Sequence, residues 1–247
     1  MEFAEAVRFV QSGQADAVRA GSIGILSEKT VHAALKWWLD DDPAHHEILL
    51  PEGSVADIFD GRQITEIQTA SFSALRHKLQ RLLAAGYPVT VVHPLVRRKQ
   101  IVWIDPATGE SSSPRRSPRV GSFTDAGAQL IYILPCLTHP GLTVRLVLLD
   151  VEELRLADGW GREGKRGSHR AERAPQALVG EMTLRAPVDY AALVPEKLGE
   201  SFTSAEFGRA AHMQGRKLSG TLKVLLSLGA LTRSREEGEK TYRYSRT

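Results

Sequence analysis

"VADIFDGRQITEIQT", residues 55–69, is the stretch on which the reading of the fold turns. Two short β-prone runs flank Asp60-Gly61, a dipeptide that favours a two-residue hairpin turn. A two-residue loop sets Phe59 opposite Arg62, Asp57 opposite Ile64 and Val55 opposite Glu66. Side chains alternate along a strand, so Asp57, Ile64, Glu66 and Gln68 share one face, while Ala56, Ile58 and Ile67 share the other. Glu66 is then a diagonal neighbour of Asp57, roughly 7–8 Å away at the backbone. Two acids on one half-buried face repel each other and raise one another's pKa. A divalent cation removes that cost, and Mg²⁺ takes one or two carboxylates plus waters and substrate phosphate. The competing reading is a sheet face with scattered acids paired to Arg62 or Arg76.

Outward from the hairpin, helices and strands alternate. "SEKTVHAALKWWLD" (27–40) predicts a helix capped by Ser27, with Val31, Ala34, Leu35 and Trp38 on one stripe. Glu28 falls on that stripe and points either towards the sheet or simply at the helix dipole. "HEILL" (46–50) predicts a strand. Residues 71–85 predict a helix buried through Phe72, Leu75, Leu79, Leu82 and Leu83. "PVTVVHP" reads as a strand buried on both faces, with further strands in "QIVWID" and "TVRLVLLDVEEL" and a helix around 124–137. This order predicts an α/β domain with a mixed central sheet flanked by helices.

Residues 201–247 read differently. "FTSAEFGRAAHM" predicts a helix capped by Thr203 or Ser204, and "GRKLSGTLKVLLSLGAL" a second with Leu218, Leu222, Leu225 and Leu226 apolar. The last stretch alternates about a Gly turn, as a two-stranded ribbon does. Helix, helix and ribbon form a winged helix-turn-helix pattern. The expected organisation is an N-terminal helix and link (1–26), a main domain (27–185), a linker (186–200) and a small C-terminal domain (201–247).

Composition bounds the function. The chain has 247 residues, 42% hydrophobic and 25% charged, ordinary for a globular protein. Its single Cys, Cys136, excludes a disulfide framework and a Cys-based zinc site. The histidines have no zinc spacing. The N-terminus does not read as a signal peptide, and no apolar run approaches about 18 residues. A cytoplasmic location is expected.

Net charge is only +3, but the cations cluster. Arg97, Arg98, Lys99, Arg115 and Arg116 lie in one basic stretch; Arg162, Lys165 and Arg166 lie in a Gly-rich one. Residues 203–247 carry nine Lys/Arg against four acids. Of these, Arg216, Lys217 and Lys223 fall on the second helix, and Arg235 and Lys240 on the ribbon. Three basic segments suit a polyanionic partner, although each alone is as consistent with a solvated surface.

A helix with Glu28, a strand with Asp57, a strand with Glu66-Ile67-Gln68, then a helix and a buried strand resemble the PD-(D/E)xK (restriction-endonuclease-like) nuclease superfamily. The resemblance covers about residues 27–105. It implies that Asp57 and Glu66 are metal ligands for Mg²⁺ or Mn²⁺, that Glu28 is an auxiliary acid and that Gln68 stands where a catalytic Lys is usual. The implied reaction is hydrolysis of DNA by an endonuclease or resolvase-like enzyme; RNA is not excluded as partner, nor is a homodimer. Gln68 keeps open a catalytically silent, DNA-binding version of the same fold. The motifs "VWIDPATGE", "LTHPGL", "LLDVEE" and "GWGREGKRGS", with the C-terminal unit, also resemble an uncharacterised bacterial family that pairs such a core with such a tail. That second resemblance implies an architecture, not a reaction.

Overall fold

A mixed sheet of seven strands carries the fold. The computed structural model describes residues 1–15, 30–160, 166–239 and 241–247, without the side chains of 157–160 and 166–169. Ser27, Glu28, Arg162, Lys165 and Lys240 lie outside the described residues, as does the side chain of Arg166.

Helices α1 (Phe3–Gln11) and α2 (Thr30–Leu39) precede β1 (His46–Leu49), β2 (Val55–Phe59) and β3 (Ile64–Ile67). Next come α3 (Arg76–Ala84), β4 (Val89–Ile104) and β5 (Arg115–Arg116). A short helix, α4 (Gly127–Leu130), lies between two 3-10 turns, and β6 (Leu142–Trp160) and β7 (Arg166–Leu184) complete the sheet. The sheet order is β1-β2-β3-β4-β6-β7, with β5 on β4. β4 runs parallel to β3 and to β6, whereas β1–β2, β2–β3 and β6–β7 are antiparallel.

The expected mixed sheet flanked by helices is therefore present. Val89, Val91 and Leu95 of β4 enter the core on the α3 side, while Val92 enters the core shared with α1 and α2. That explains the uninterrupted apolar run: a central strand has no solvent face to mark with polar residues. "PVTVVHP" and "QIVWID" belong to one continuous strand.

Three expectations change. The helix expected around 124–137 is mostly 3-10 turns, with Pro135 inside. The Gly-rich basic stretch runs into strand β7, to which Arg166, Arg170 and Arg173 belong. Pro175 and Gly180 hide that strand in the sequence; an edge strand tolerates both, and the β6–β7 ladder shifts register between Asp150 and Val151, next to Pro175. The hairpin loop spans four residues, not two. Ile58 pairs with Thr65 and Phe59 with Ile64. The Asp60 carboxylate accepts from the N–H groups of Arg62 and Gln63, at 2.8 and 2.7 Å, and so draws both residues into the turn, while Gly61 supplies φ +84°.

The C-terminal unit comprises β8 (Ser201–Thr203), α5 (Ser204–Ala211), α6 (Gly215–Ser227), β9 (Leu231–Ser234) and β10 (Arg243–Arg246). Its small sheet has the order β8-β10-β9. Thr203 caps α5 reciprocally with Glu206. Segment 186–200, expected as a linker, carries a 3-10 turn whose Tyr190, Leu193 and Val194 are buried in the main core. Leu222, Val224 and Leu225 of α6 join that same core. A Cβ on Gly127 would lie 2.4 Å from Thr221 Cγ2, so the close approach of α4 to α6 requires glycine there.

Candidate functional site

The four-residue loop moves the hairpin register by two, which keeps the face parity of the acids. Carried one step beyond Ile58 and Thr65, the ladder would set Asp57 opposite Glu66, and there the regular pairing ends. Instead, Ile67 N–H donates to Asp57 Oδ2 at 2.7 Å. The Asp57 side chain thus takes over a backbone donor, which fixes its carboxylate between the strands.

Two further groups reach the pair. His32, on α2, places Nε2 3.3 Å from Asp57 Oδ2. Lys78, on α3, donates from Nζ to Glu66 Oε2 at 2.5 Å and to Val55 O at 2.6 Å. Glu66 is 5% exposed, and its other oxygen, Oε1, is buried with no hydrogen-bond partner among the described residues.

The two acids titrate in opposite directions. Glu66 is pushed up to about 7, first by burial and then by the charge of Asp57, against the pull of Lys78. Asp57 is held below the ordinary carboxylate range. Burial is the largest influence on Asp57 and acts upward, but His32, the Ile67 N–H and Lys78 together outweigh it. Of the two acids, Glu66 is therefore the one that keeps a proton to higher pH.

Among the described residues no group of three or more His, Cys, Asp or Glu forms a metal cluster. The donor set is a carboxylate pair, which suits an ion that keeps several waters. The buried, unpartnered Glu66 Oε1 is the atom that such an ion would satisfy.

Gln68 is placed otherwise than the E-x-K pattern implies. Its Nε2 donates to Ser71 O at 2.8 Å, on the loop into α3, and its backbone carbonyl oxygen meets His93 Nδ1 at 2.6 Å. Lys78 provides the cation at the acids. A sequence signal for it exists: Lys78 stands three residues after Leu75 and four before Leu82, on the buried stripe of α3.

The basic residues divide into two groups. Arg97 is paired with Asp150 through two bonds, of 2.9 and 2.5 Å, and Lys99 lies 3.4 Å from Glu153. Arg98, Arg115, Arg116, Arg216, Lys217, Lys223 and Arg235 are exposed. Arg233 and Arg235 lie over the Tyr242 ring, 4.3 and 5.1 Å from its centroid. Among the described residues no helix is long and apolar enough to cross a membrane.

A family model described as a domain of unknown function (DUF8091) matches residues 29–185. This span contains Asp57, Glu66, Lys78 and His32 and stops before the C-terminal unit. An uncharacterised protein of Treponema pallidum (strain Nichols) is 31% identical over 143 residues, covering 57% of this chain and 55% of the relative. The chain thus spans about half the length of the curated relative it matches. No solved structure matches.

Proposed function

The chain belongs to the DUF8091 family, and from that premise we propose that it is a metal-dependent phosphodiesterase that hydrolyses DNA on a restriction-endonuclease-like core. The observation that carries this reading is the meeting of Asp57 and Glu66 with Lys78, an acid–acid–cation set in which the Lys has moved from the usual strand position to α3. Gln68 is then no obstacle, because the charge it lacks comes from a neighbouring element.

Asp57 and Glu66 would hold the Mg²⁺ or Mn²⁺ ion. An ion held there would supply Lewis-acid chemistry, polarising a phosphodiester and lowering the pKa of an attacking water. The Ile67 N–H and His32 orient the Asp57 carboxylate. Lys78 Nζ, already on Glu66, would orient that water or offset charge on the phosphate. In the C-terminal unit, β8-α5-α6 and the β9–β10 ribbon support a winged-helix reading, with Arg216, Lys217 and Lys223 on the exposed side of α6 to meet DNA phosphates.

The test combines cleavage with binding. Wild type is incubated with plasmid, single-stranded and branched DNA and with RNA, in Mg²⁺ or Mn²⁺, beside Asp57→Ala and Glu66→Ala. Each substitution is expected to lower cleavage by about a hundredfold or more. Calorimetry on the same proteins should show Mn²⁺ binding to wild type and its loss in both variants. Cleavage that survives both substitutions would sink the site. Absent cleavage with tight, salt-sensitive DNA binding would favour the catalytically silent form of the fold.

A further inference from the structure

We infer that a cleft between α2 and the sheet binds an unpaired strand of DNA, an inference that rests on the reading of Asp57 and Glu66 as a phosphodiesterase site. The cleft measures about 510 Å³, within the size range of ligand sites. Val31, Val96, Leu149 and Val151 supply its apolar surface, and Arg170 and Arg173 of β7 its charged wall. It shares two elements with the site: Val31 and His32, which reaches Asp57, both lie on α2, and Thr69 follows the strand that bears Glu66.

The charged wall is backed by an ion cluster. Glu153, 1% exposed, is bound by Lys99, Arg155 and Arg173 from three neighbouring strands. Glu172 is engaged by the hydroxyl of Thr30. Among the described residues four cations, Lys99, Arg155, Arg170 and Arg173, therefore stand against two carboxylates, and the surplus is positive. Arg173 uses Nη2 on Glu153, at 2.9 Å, while its Nε is buried with no acceptor among the described residues. The Arg173 side chain is still 31% exposed, so the rest of its guanidinium faces the cleft, and a phosphate oxygen is the acceptor that a guanidinium suits best.

The remaining surface selects the form of the nucleic acid. Duplex DNA presents phosphates and groove edges but keeps its base faces stacked inside. An unpaired nucleotide exposes a base face together with its phosphate, so it fills an apolar floor and a cationic wall at once. The cleft is complementary to the second ligand and leaves its apolar half unused with the first.

The test is fluorescence anisotropy in EDTA with a labelled short oligothymidylate and with a labelled duplex of equal length. Arg170→Ala and Arg173→Gln should each weaken oligothymidylate binding about tenfold and reduce the salt slope by about 0.7 per lost phosphate contact. Arg173→Gln removes a partner of Glu153, so Ala171→Glu is included: this residue is exposed and brings a negative charge to the same wall. It should weaken oligothymidylate binding by a similar factor while duplex affinity stays within about twofold. Oligothymidylate affinity unchanged in Arg170→Ala and Ala171→Glu overturns the inference, as does an equal loss on duplex. Because EDTA prevents cleavage, failure of the acid pair appears as lost hydrolysis with strand binding intact, and failure of the cleft as the reverse.

Discussion

Two buried carboxylates of this sheet have opposite chemistry. Glu66 and Glu153 are both nearly inaccessible, with side chains 6% and 2% exposed. Both carry the same desolvation penalty in kind, and both bind Lys or Arg. Yet Glu66 is pushed up to about 7, whereas Glu153 is held at about 2. The difference lies in the neighbours. Glu153 meets three cations, Lys99, Arg155 and Arg173; Glu66 meets one cation and the charge of Asp57. A carboxylate with surplus cations is a stable anchor for a basic wall. A carboxylate with too few is poised to take up one more positive charge, which is the property that a cation-dependent site requires.

The sharpest way to break this comparison is Glu153→Gln. It leaves three cations clustered without their counter-ion and should cost about 3 kcal/mol of stability at pH 7, read by urea denaturation. A loss below about 1 kcal/mol would mean that the cations simply turn to solvent. Because Glu153 titrates at about 2 when folded, against an ordinary 4.5, its stabilisation is complete above pH 4.5 and disappears as pH falls towards 2. The acid limb of the stability curve should therefore flatten in the variant.

Glu66→Gln should act with the opposite sign. In metal-free protein the folded state keeps the Glu66 proton up to about 7, whereas the unfolded chain releases it near 4.5. Stability thus falls as pH rises from 4.5 to 7, by about 3 kcal/mol in all. Gln resembles the protonated acid, so the variant in EDTA should be more stable than wild type at pH 8, by about 2 kcal/mol. It should also lose the decline between pH 5 and 7. A variant less stable than wild type at pH 8 would show that the Lys78 ion pair outweighs burial and repulsion.

Much of this pair was legible in the sequence, and little of the other. Asp57 and Glu66 could be put on one face from alternation alone, and parity survived a register error of two. The error came from Asp60, whose carboxylate caps a four-residue loop where Asp60-Gly61 suggested a two-residue one. Lys78 was available from the stripe of α3 but required the helix to be docked on β3 before its target was known. Glu153 was beyond reach. Its partners stand on β4, β6 and β7, and the β6–β7 ladder shifts register at several points, so alternation cannot be carried from one strand to the next. The strand that bears Arg173 also contains Pro175, which conceals it. Buried chemistry assembled within a hairpin can be read locally, whereas chemistry assembled across bulged strands depends on pairing that only the folded sheet provides.

The smallest expected effect tests which residue provides the cation. Gln68 follows Glu66 by two and occupies the position where the superfamily pattern places Lys, yet its carboxamide is held by Ser71 O. Gln68→Ala removes one half-buried hydrogen bond and should cost about 1 kcal/mol of stability. Its effect on DNA cleavage should stay within about threefold, because the group touches the loop into α3 rather than the acids. Lys78→Met removes the ammonium on Glu66 Oε2 and should lower cleavage by about tenfold or more, and it should also raise the pH at which Glu66 titrates. Gln68→Lys should restore none of that loss in the Lys78→Met background while its side chain remains directed at Ser71. Should Gln68→Ala abolish cleavage and Lys78→Met leave it intact, the cation that matters is not on α3, and the contrast between the poised Glu66 and the anchored Glu153 loses its functional meaning.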